Sequence, residues 1–261
     1  VNFRYPQAIV WGDETGTGAT VATLYIVATP IGNLADLTYR AGETLRNVDA
    51  LACEDTRRTL ALLDKYEIPR PGIVFSNHEH NEDRGAQRIL GLLNDERSVA
   101  ICSNAGYPGI SDPGYRAIQL AAEEGHRVEV IPGASAVPVA LLMSALPTSS
   151  YTFRGFPPRK QGRCRTFLAQ DAELPHTQIF YESPFRIGKF LALALEVLGD
   201  RRAAVCLELT KLHERVNRGW LSELVPEFAD RKVKGEAVIV IAGNHPKYRQ
   251  GDEDEDDEGD E

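Results

Sequence analysis

Short apolar runs that end in glycine- and proline-rich loops set the limits on what this chain can fold into. Val99-Ala100-Ile101-Cys102 breaks into Ser103-Asn104-Ala105-Gly106-Tyr107-Pro108-Gly109-Ile110-Ser111-Asp112-Pro113-Gly114. A run of this kind is a buried strand ending in a shaped loop. Its glycines let a ligand approach the main chain, and its prolines stiffen the stretch. Leu24-Tyr25-Ile26-Val27-Ala28 leads in the same way into Thr29-Pro30-Ile31-Gly32-Asn33-Leu34. Val128-Glu129-Val130-Ile131 leads into Pro132-Gly133-Ala134-Ser135-Ala136. Two more short strands are predicted at 50–53 and 73–75, with helical patterns at 37–45, 56–66, 82–93, 113–124 and from 136 to 146. Strands alternating with helices predict a parallel sheet with helices on its faces. In such a sheet the carboxyl ends of the strands share one edge, so the three loops are placed to converge on one ligand.

Pro147-Thr148-Ser149-Ser150 reads as a linker, and the pattern changes after it. Strands are expected at 151–156, 178–181, 203–209, 213–219 and 237–242, with helices only at 163–170 and 184–198. Longer strands with fewer crossovers predict a mixed or antiparallel second sheet. The fold class is therefore α/β, with a parallel-sheet domain over 24–146 and a mixed-sheet domain over 151–243. Residues 1–23 read as a flexible extension, because 12–20 have linker composition. From 244 onward the chain is polar and then acidic, and 244–261 is expected to be disordered.

The formal charge of -9 comes from the tail, since nine acidic side chains lie between 252 and 261 and the chain holds 38 acidic and 29 basic groups in all. The remainder is neutral but uneven: 24–150 carries 11 basic and 16 acidic residues, 151–243 carries 15 and 11. That tilt is weak support for a polyanionic partner on the second half. No apolar run approaches the roughly 20 residues that span a membrane, and no basic-then-apolar leader opens the chain. The four scattered cysteines form no metal-type pair and read as reduced thiols of a cytoplasmic protein. His78 and His80 flank a glutamate without a third ligand, so no metal is expected there.

Seven stretches occur together and in order: Leu24 to Leu34, Cys53-Glu54-Asp55-Thr56-Arg57, Ser103 to Gly114, Pro132-Gly133 with Ser135-Ala136, Phe180-Tyr181-Glu182-Ser183-Pro184 with Arg186, Glu208-Leu209-Thr210-Lys211, and Lys234-Gly235-Glu236. Over about residues 24–243 the chain resembles the bacterial small-subunit ribosomal RNA 2′-O-methyltransferases of the tetrapyrrole methylase superfamily. The resemblance implies two α/β domains with S-adenosylmethionine in the cleft between them, a homodimer, and methylation of a cytidine ribose in the decoding region of 16S RNA. It also implies cofactor contacts at Pro30, Gly32 and Asn33, at Asn104, Ala105 and Gly106, at Ser135 and Ala136, and at Gly235, Glu236 and Ala237.

A base that removes the 2′-hydroxyl proton assists such a transfer. Glu54, Asp55, Glu182, Glu208 and Lys211 are the candidates, each with a structural alternative. Glu54 or Asp55 can cap the helix from Thr56, Glu182 can pair with Arg186, and Glu208 can pair with Lys211. For RNA, Arg159, Lys160, Arg163 and Arg165 follow the Pro157-Pro158 bend, and Arg57 and Arg58 are available to extend them. A solvated helix face is the alternative for both groups. The chain departs from the family pattern at Asn104 (usually Asp), Tyr107 (Thr), Phe185 (His) and Leu207 (Arg), and an acidic tail stands where a helical extension is usual. Those departures leave two alternatives: a divergent member acting on a small molecule or protein, and a non-catalytic binding paralogue.

Overall fold

A computed structural model describes residues 22–229 and 234–250. The expected N-terminal extension lies outside them but for its last two residues, as does the acidic run 252–261. The first half runs β1 (Thr23–Val27), α1 (Tyr39–Asn47), β2 (Ala50–Cys53), α2 (Thr56–Lys65), β3 (Ile73–Ser76), α3 (Glu82–Asn94), β4 (Val99–Cys102), α4 (Tyr115–Glu123), β5 (Arg127–Ile131) and α5 (Ala136–Ser144). Its sheet is wholly parallel in the order β3-β2-β4-β1-β5. Side chains alternate between its faces, as the strand period of two requires. Leu24, Ile26, Val99 and Ile101 pack with Ile89 of α3 and Leu120 of α4. Val27, Leu51, Ala100 and Cys102 pack with Leu45 of α1 and Leu63 of α2. Covering both faces is why β2 and β4 are apolar at every position.

The second half runs β6 (Tyr151–Phe153), α6 (Gln161–Ala169), β7 (Thr177–Glu182), α7 (Ile187–Leu198), β8 (Arg202–Leu207), β9 (Arg215–Trp220), α8 (Leu221–Phe228) and β10 (Ala237–Ile241). Its sheet is mixed, in the order β6-β7-β10-β8-β9, with only β6 and β7 parallel. One face packs on α6, α7 and α8 through Leu168, Phe190, Leu193, Leu224 and Phe228. The other face takes α5 from the first half: Val137, Ala140 and Leu141 meet Ile179, Ala204, Val238 and Val240. In α5, Ala136-Val137-Pro138-Val139-Ala140-Leu141-Leu142-Met143 has no polar face: Val137, Ala140 and Leu141 are buried against the second sheet, while Pro138 and Leu142 are exposed. Pro138 is tolerated in its first turn, where a missing N–H breaks no helical bond.

Two features differ from the sequence reading. Pro226 argues against a helix at 221–228, yet α8 forms there, because the Glu223 carboxylate accepts the Trp220 N–H at 2.8 Å as a cap and the apolar face seats on α7. The fold also continues past 243. Asn244 N–H donates to Leu174 O (2.8 Å), Pro246–Tyr248 forms a 3-10 turn, and Gln250 N–H reaches Asp200 O (2.9 Å). Among the described residues no helix is long and apolar enough to cross a membrane, and no three potential metal ligands cluster.

Candidate active site

β4, β1 and β5 are neighbours, so the three glycine- and proline-rich loops leave the sheet side by side. Hydrogen bonds stitch them together. Thr29 and Gly106 exchange both main-chain bonds, at 2.9 and 3.0 Å. Gly106 sits at φ +73°, a torsion that favours glycine. The Gly133 N–H donates to the Tyr107 hydroxyl at 3.0 Å, tying the β5 loop to the β4 loop. Farther along the β4 loop, Gly109 N–H bonds Pro113 O at 3.3 Å, and Gly114 N–H donates to Glu82 at the start of α3 (2.8 Å).

Opposite this edge stands one edge of the second sheet. Ala237 at the start of β10 faces Glu182 at the end of β7 and Leu207 at the end of β8. Between the two edges lies a cleft of about 470 Å³, the size of an ordinary small-molecule site.

Eight of the residues assigned to the cofactor line this cleft: Asn104, Ala105 and Gly106, with Ser135 and Ala136, from the first half, and Gly235, Glu236 and Ala237 from the second. Pro30 lines an adjoining hollow of about 290 Å³ that shares Arg58 and Asn104 with the cleft. Gly32 and Asn33 lie in neither wall. A Cβ on Gly32 would meet Lys211 Cγ at 2.5 Å and Leu209 O at 2.8 Å, so glycine there lets the first loop seat on the second half. Asn33 N–H donates to Thr210 Oγ1 at 3.0 Å, and its side chain caps the short turn 34–36 through Ala35 N–H.

Of the candidate bases, Glu54 and Glu182 line the cleft, whereas Asp55, Glu208 and Lys211 do not. Glu54 accepts the Asn104 N–H at 2.9 Å. Asp55 caps α2 through Arg57 N–H (2.9 Å) and grips the Arg57 guanidinium, which holds its carboxyl below the usual range. Glu182 is buried. Its Oε1 accepts the Ser183 N–H (2.7 Å), and its Oε2 lies 3.3 Å from Arg186 in an ion pair without hydrogen-bond geometry. Burial outweighs these partners and pushes its pKa up. Glu208 pairs with Lys211 at 2.9 Å, and Lys211 also reaches Glu236 at 2.8 Å.

The sequence reading missed Asp112, which lines the cleft with Tyr181, Phe156 and Ile110. Burial, then the charges of Glu54 and Glu236, push the Asp112 carboxyl up to about 7. Burial, with Asp112 and Glu236, pushes the Tyr181 phenol up to about 12. A signal was present, since Asp112 stands inside the most glycine- and proline-rich loop of the chain, but nothing in its local sequence sets it apart from an ordinary turn aspartate.

Arg58 is the cation in the cleft wall among the described residues. Arg57 is held by Asp55, and Arg165 by Glu196. Arg159, Lys160 and Arg163 are exposed, and among the described residues none forms an ion pair. The four departures have separate places. Tyr107 joins two loops, Leu207 is buried, and Phe185 is 79% exposed. The Asn104 side-chain oxygen is buried in the cleft wall with no hydrogen-bond partner. A cleft with four carboxylates, one guanidinium and apolar walls suits a ligand that carries positive charge on an apolar or aromatic body.

Comparison with known proteins follows the same lines. The family model described as Tetrapyrrole (Corrin/Porphyrin) Methylases matches residues 23–225. Ribosomal RNA small subunit methyltransferase I of Halalkalibacterium halodurans is 44% identical over 225 residues, covering 86% of this chain and 77% of that protein. The protein of the same name from Thermotoga maritima is 43% identical over 220 residues, 84% and 98% of the two chains. Among solved structures, the methyltransferase CobJ superposes with a TM-score of 0.64 at 15% identity (86% of this chain, 95% of that one). The cobalt precorrin-4 methyltransferase CbiF gives 0.61 at 18% identity (84% and 94%). These two share the fold, a parallel sheet beside a mixed one. The chain belongs to the tetrapyrrole methylase family, in the branch formed by the ribosomal RNA small subunit methyltransferase I proteins.

Proposed function

We propose that this protein is an S-adenosylmethionine-dependent methyltransferase that modifies the ribose 2′-hydroxyl of a cytidine in the decoding region of 16S ribosomal RNA, as a cytoplasmic homodimer. The observation that carries the reading is the cleft, where family loops from both halves meet. Its residues fit the cofactor. The orphaned Asn104 oxygen gives an acceptor for an ammonium group, and the surrounding carboxylates suit two positive charges. Ile31, Ala136, Leu209 and Val238 offer an apolar seat for an adenosyl group. A Cβ on Gly235, itself at φ +96°, would collide with the Glu208 carboxylate, so glycine there lets Glu208 close in on the main chain and hold the Glu236 N–H at 2.8 Å. When bound, the cofactor supplies a methyl group that its sulfonium already makes electrophilic. The protein's task is then mainly to align an acceptor oxygen and exclude water. The dimer rests on the family resemblance, and the location on four scattered cysteines that are buried and unpaired.

RNA approaches over the edge that carries Arg159, Lys160 and Arg163. Arg186 holds that edge to the cleft by donating to Pro158 O (3.1 Å) and Pro157 O (3.4 Å). Phe156, 60% exposed, stands where the edge meets the cleft and offers a face for a base to stack on. Small subunits from a strain lacking the enzyme, incubated with this protein and labelled S-adenosylmethionine and digested for mass mapping, are expected to yield 2′-O-methylcytidine in the decoding region. A methylated base, or no product, overturns the reading. Lys160→Ala with Arg163→Ala is expected to weaken RNA binding roughly tenfold and to flatten its salt dependence by up to about two counterions. Arg165→Ala, already spent on Glu196, is expected to leave both unchanged.

A further inference from the structure

Every sequence-nominated acid is engaged by the protein itself. Glu54 holds Asn104 N–H, Asp55 caps α2, Glu182 pairs with Arg186, and Glu208 and Glu236 share Lys211. Among the described residues, Asp112 is the cleft carboxylate that makes no hydrogen bond and no ion pair. It stands on a rigid turn. Ser111 before it is held at φ +60°, an uncommon torsion for a non-glycine residue, and Pro113 follows it. Gly109 bonds back to Pro113, and Gly114 is anchored on Glu82. A Cβ on Gly155 would lie 3.5 Å from Ser111 Oγ, so this turn abuts the residue before Phe156. Asp112 is therefore placed where the cationic edge meets the cleft.

We infer that Asp112 is the catalytic base, accepting the proton that the ribose 2′-hydroxyl loses as its oxygen is methylated; this rests on the function proposed above. The O–H bond breaks as the new O–C bond forms. The proton passes to a carboxylate oxygen of Asp112 and then to solvent, and the electron pair of the methyl group's former bond stays on the donor sulfur. A base is most effective when its pKa is near the working pH. The groups facing Asp112 set that value. Glu54 after β2 and Glu236 before β10 oppose its ionisation, as does burial, while Arg58 of α2 is the cation in the same wall. Tyr181 and Glu182 on β7 complete the surround, the first neutral at working pH and the second paired with Arg186. Because the base works unprotonated, the rate falls as pH drops below about 7.

Asp112→Asn tests this. Methylation at saturating S-adenosylmethionine is expected to fall by about 100-fold or more, with the affinity for small subunits, measured separately, within about threefold of wild type. The acid limb of the pH profile disappears, and Asp112→Glu recovers part of the rate. In the free protein, carbon-13 NMR of the Asp112 carboxyl is expected to titrate near 7 and to move down in Glu236→Gln. A wild-type rate with an unchanged acid limb in Asp112→Asn overturns the assignment, as does titration in the free protein near the ordinary aspartate value of about 4. Both results leave the 2′-O-methylated product in place. A wild-type product methylated elsewhere removes the proposed function instead.

Discussion

The first sheet presents only carboxyl ends to the cleft, whereas the second presents the ends of β7 and β8 together with the beginning of β10. The first wall is accordingly made of neighbouring loops tied to each other by single hydrogen bonds of the main chain, Thr29 with the Gly106 main chain and Gly133 N–H to the Tyr107 hydroxyl. The second wall is held by charged side chains. Glu182 pairs with Arg186, Glu208 with Lys211, and Glu208 Oε1 also accepts the Glu236 N–H at 2.8 Å. A parallel wall can be loosened one hydrogen bond at a time. A wall built on buried charge breaks when one partner is taken away.

The largest expected effect follows from that difference. Arg186→Ala leaves the fully buried Glu182 side chain without its ion partner and frees the carbonyls of Pro157 and Pro158. Stability is expected to drop by about 3 kcal/mol, read by urea unfolding. The sign of its pH dependence is fixed. The Glu182 pKa is already raised in the folded protein. A raised carboxyl pKa makes stability fall as pH rises from the unfolded value through the folded one. Removing Arg186 raises it further, so the loss is larger at about pH 8 than at about pH 5. A loss below about 0.5 kcal/mol would show that the second wall does not depend on this pair.

A smaller effect compares the glycines of the two walls. Gly106 and Gly235 both adopt positive φ, but a Cβ on Gly106 finds ordinary contact with Ile31 at 3.6 Å, while one on Gly235 runs into the Glu208 carboxylate. Gly235→Ala is expected to weaken cofactor binding about 30-fold by calorimetry, and Gly106→Ala about fivefold, from torsional strain alone. Gly162, with open space around it, serves as the control. Equal losses at the two positions would mean that torsion, and not the Glu208 contact, sets the second wall.

The same contrast explains what could be read from the chain. In the parallel half each strand end points to the functional edge, so a glycine after Val27 or Cys102 already marks the site. The loops that hold Asn104, Ala105, Gly106, Ser135 and Ala136 were legible for that reason, while the choice of those residues within them came from the family resemblance. Gly32 has the same local signature and a different task, because what it approaches, Lys211, is 179 residues away in sequence. In the mixed half, strands point both ways and periodicity does not say which end faces the cleft. The placing of Gly235, Glu236 and Ala237 rested on family resemblance alone. Asp112 stayed hidden because its distinction is a lack of partners. Partners of Asp55, Glu182 and Glu208 stand within four residues, at Arg57, Arg186 and Lys211, and could be read from spacing, whereas the partner of Glu54, the Asn104 N–H, is brought to it by the fold. Helix α8 was hidden by Pro226, whose local cost is outweighed by packing on α7.

The smallest expected effect tests whether the first wall works through single hydrogen bonds. Tyr107→Phe keeps the ring and removes the acceptor of the Gly133 N–H, which is only partly buried, so water replaces some of the lost bond. The expected loss is about 1 kcal/mol in stability, with roughly a threefold weaker affinity for the cofactor. Faster hydrogen exchange is expected at the Gly133 amide, and not at the Gly106 amide, whose acceptor is the Thr29 carbonyl. Tyr107→Thr restores the family's residue type but not its reach across to Gly133. If it behaves like Tyr107→Phe, the length of the side chain is what this chain uses to tie its β5 loop. If threonine instead recovers wild-type exchange at Gly133, the loops close without the tyrosine, and the bond is a consequence of their approach and not its cause.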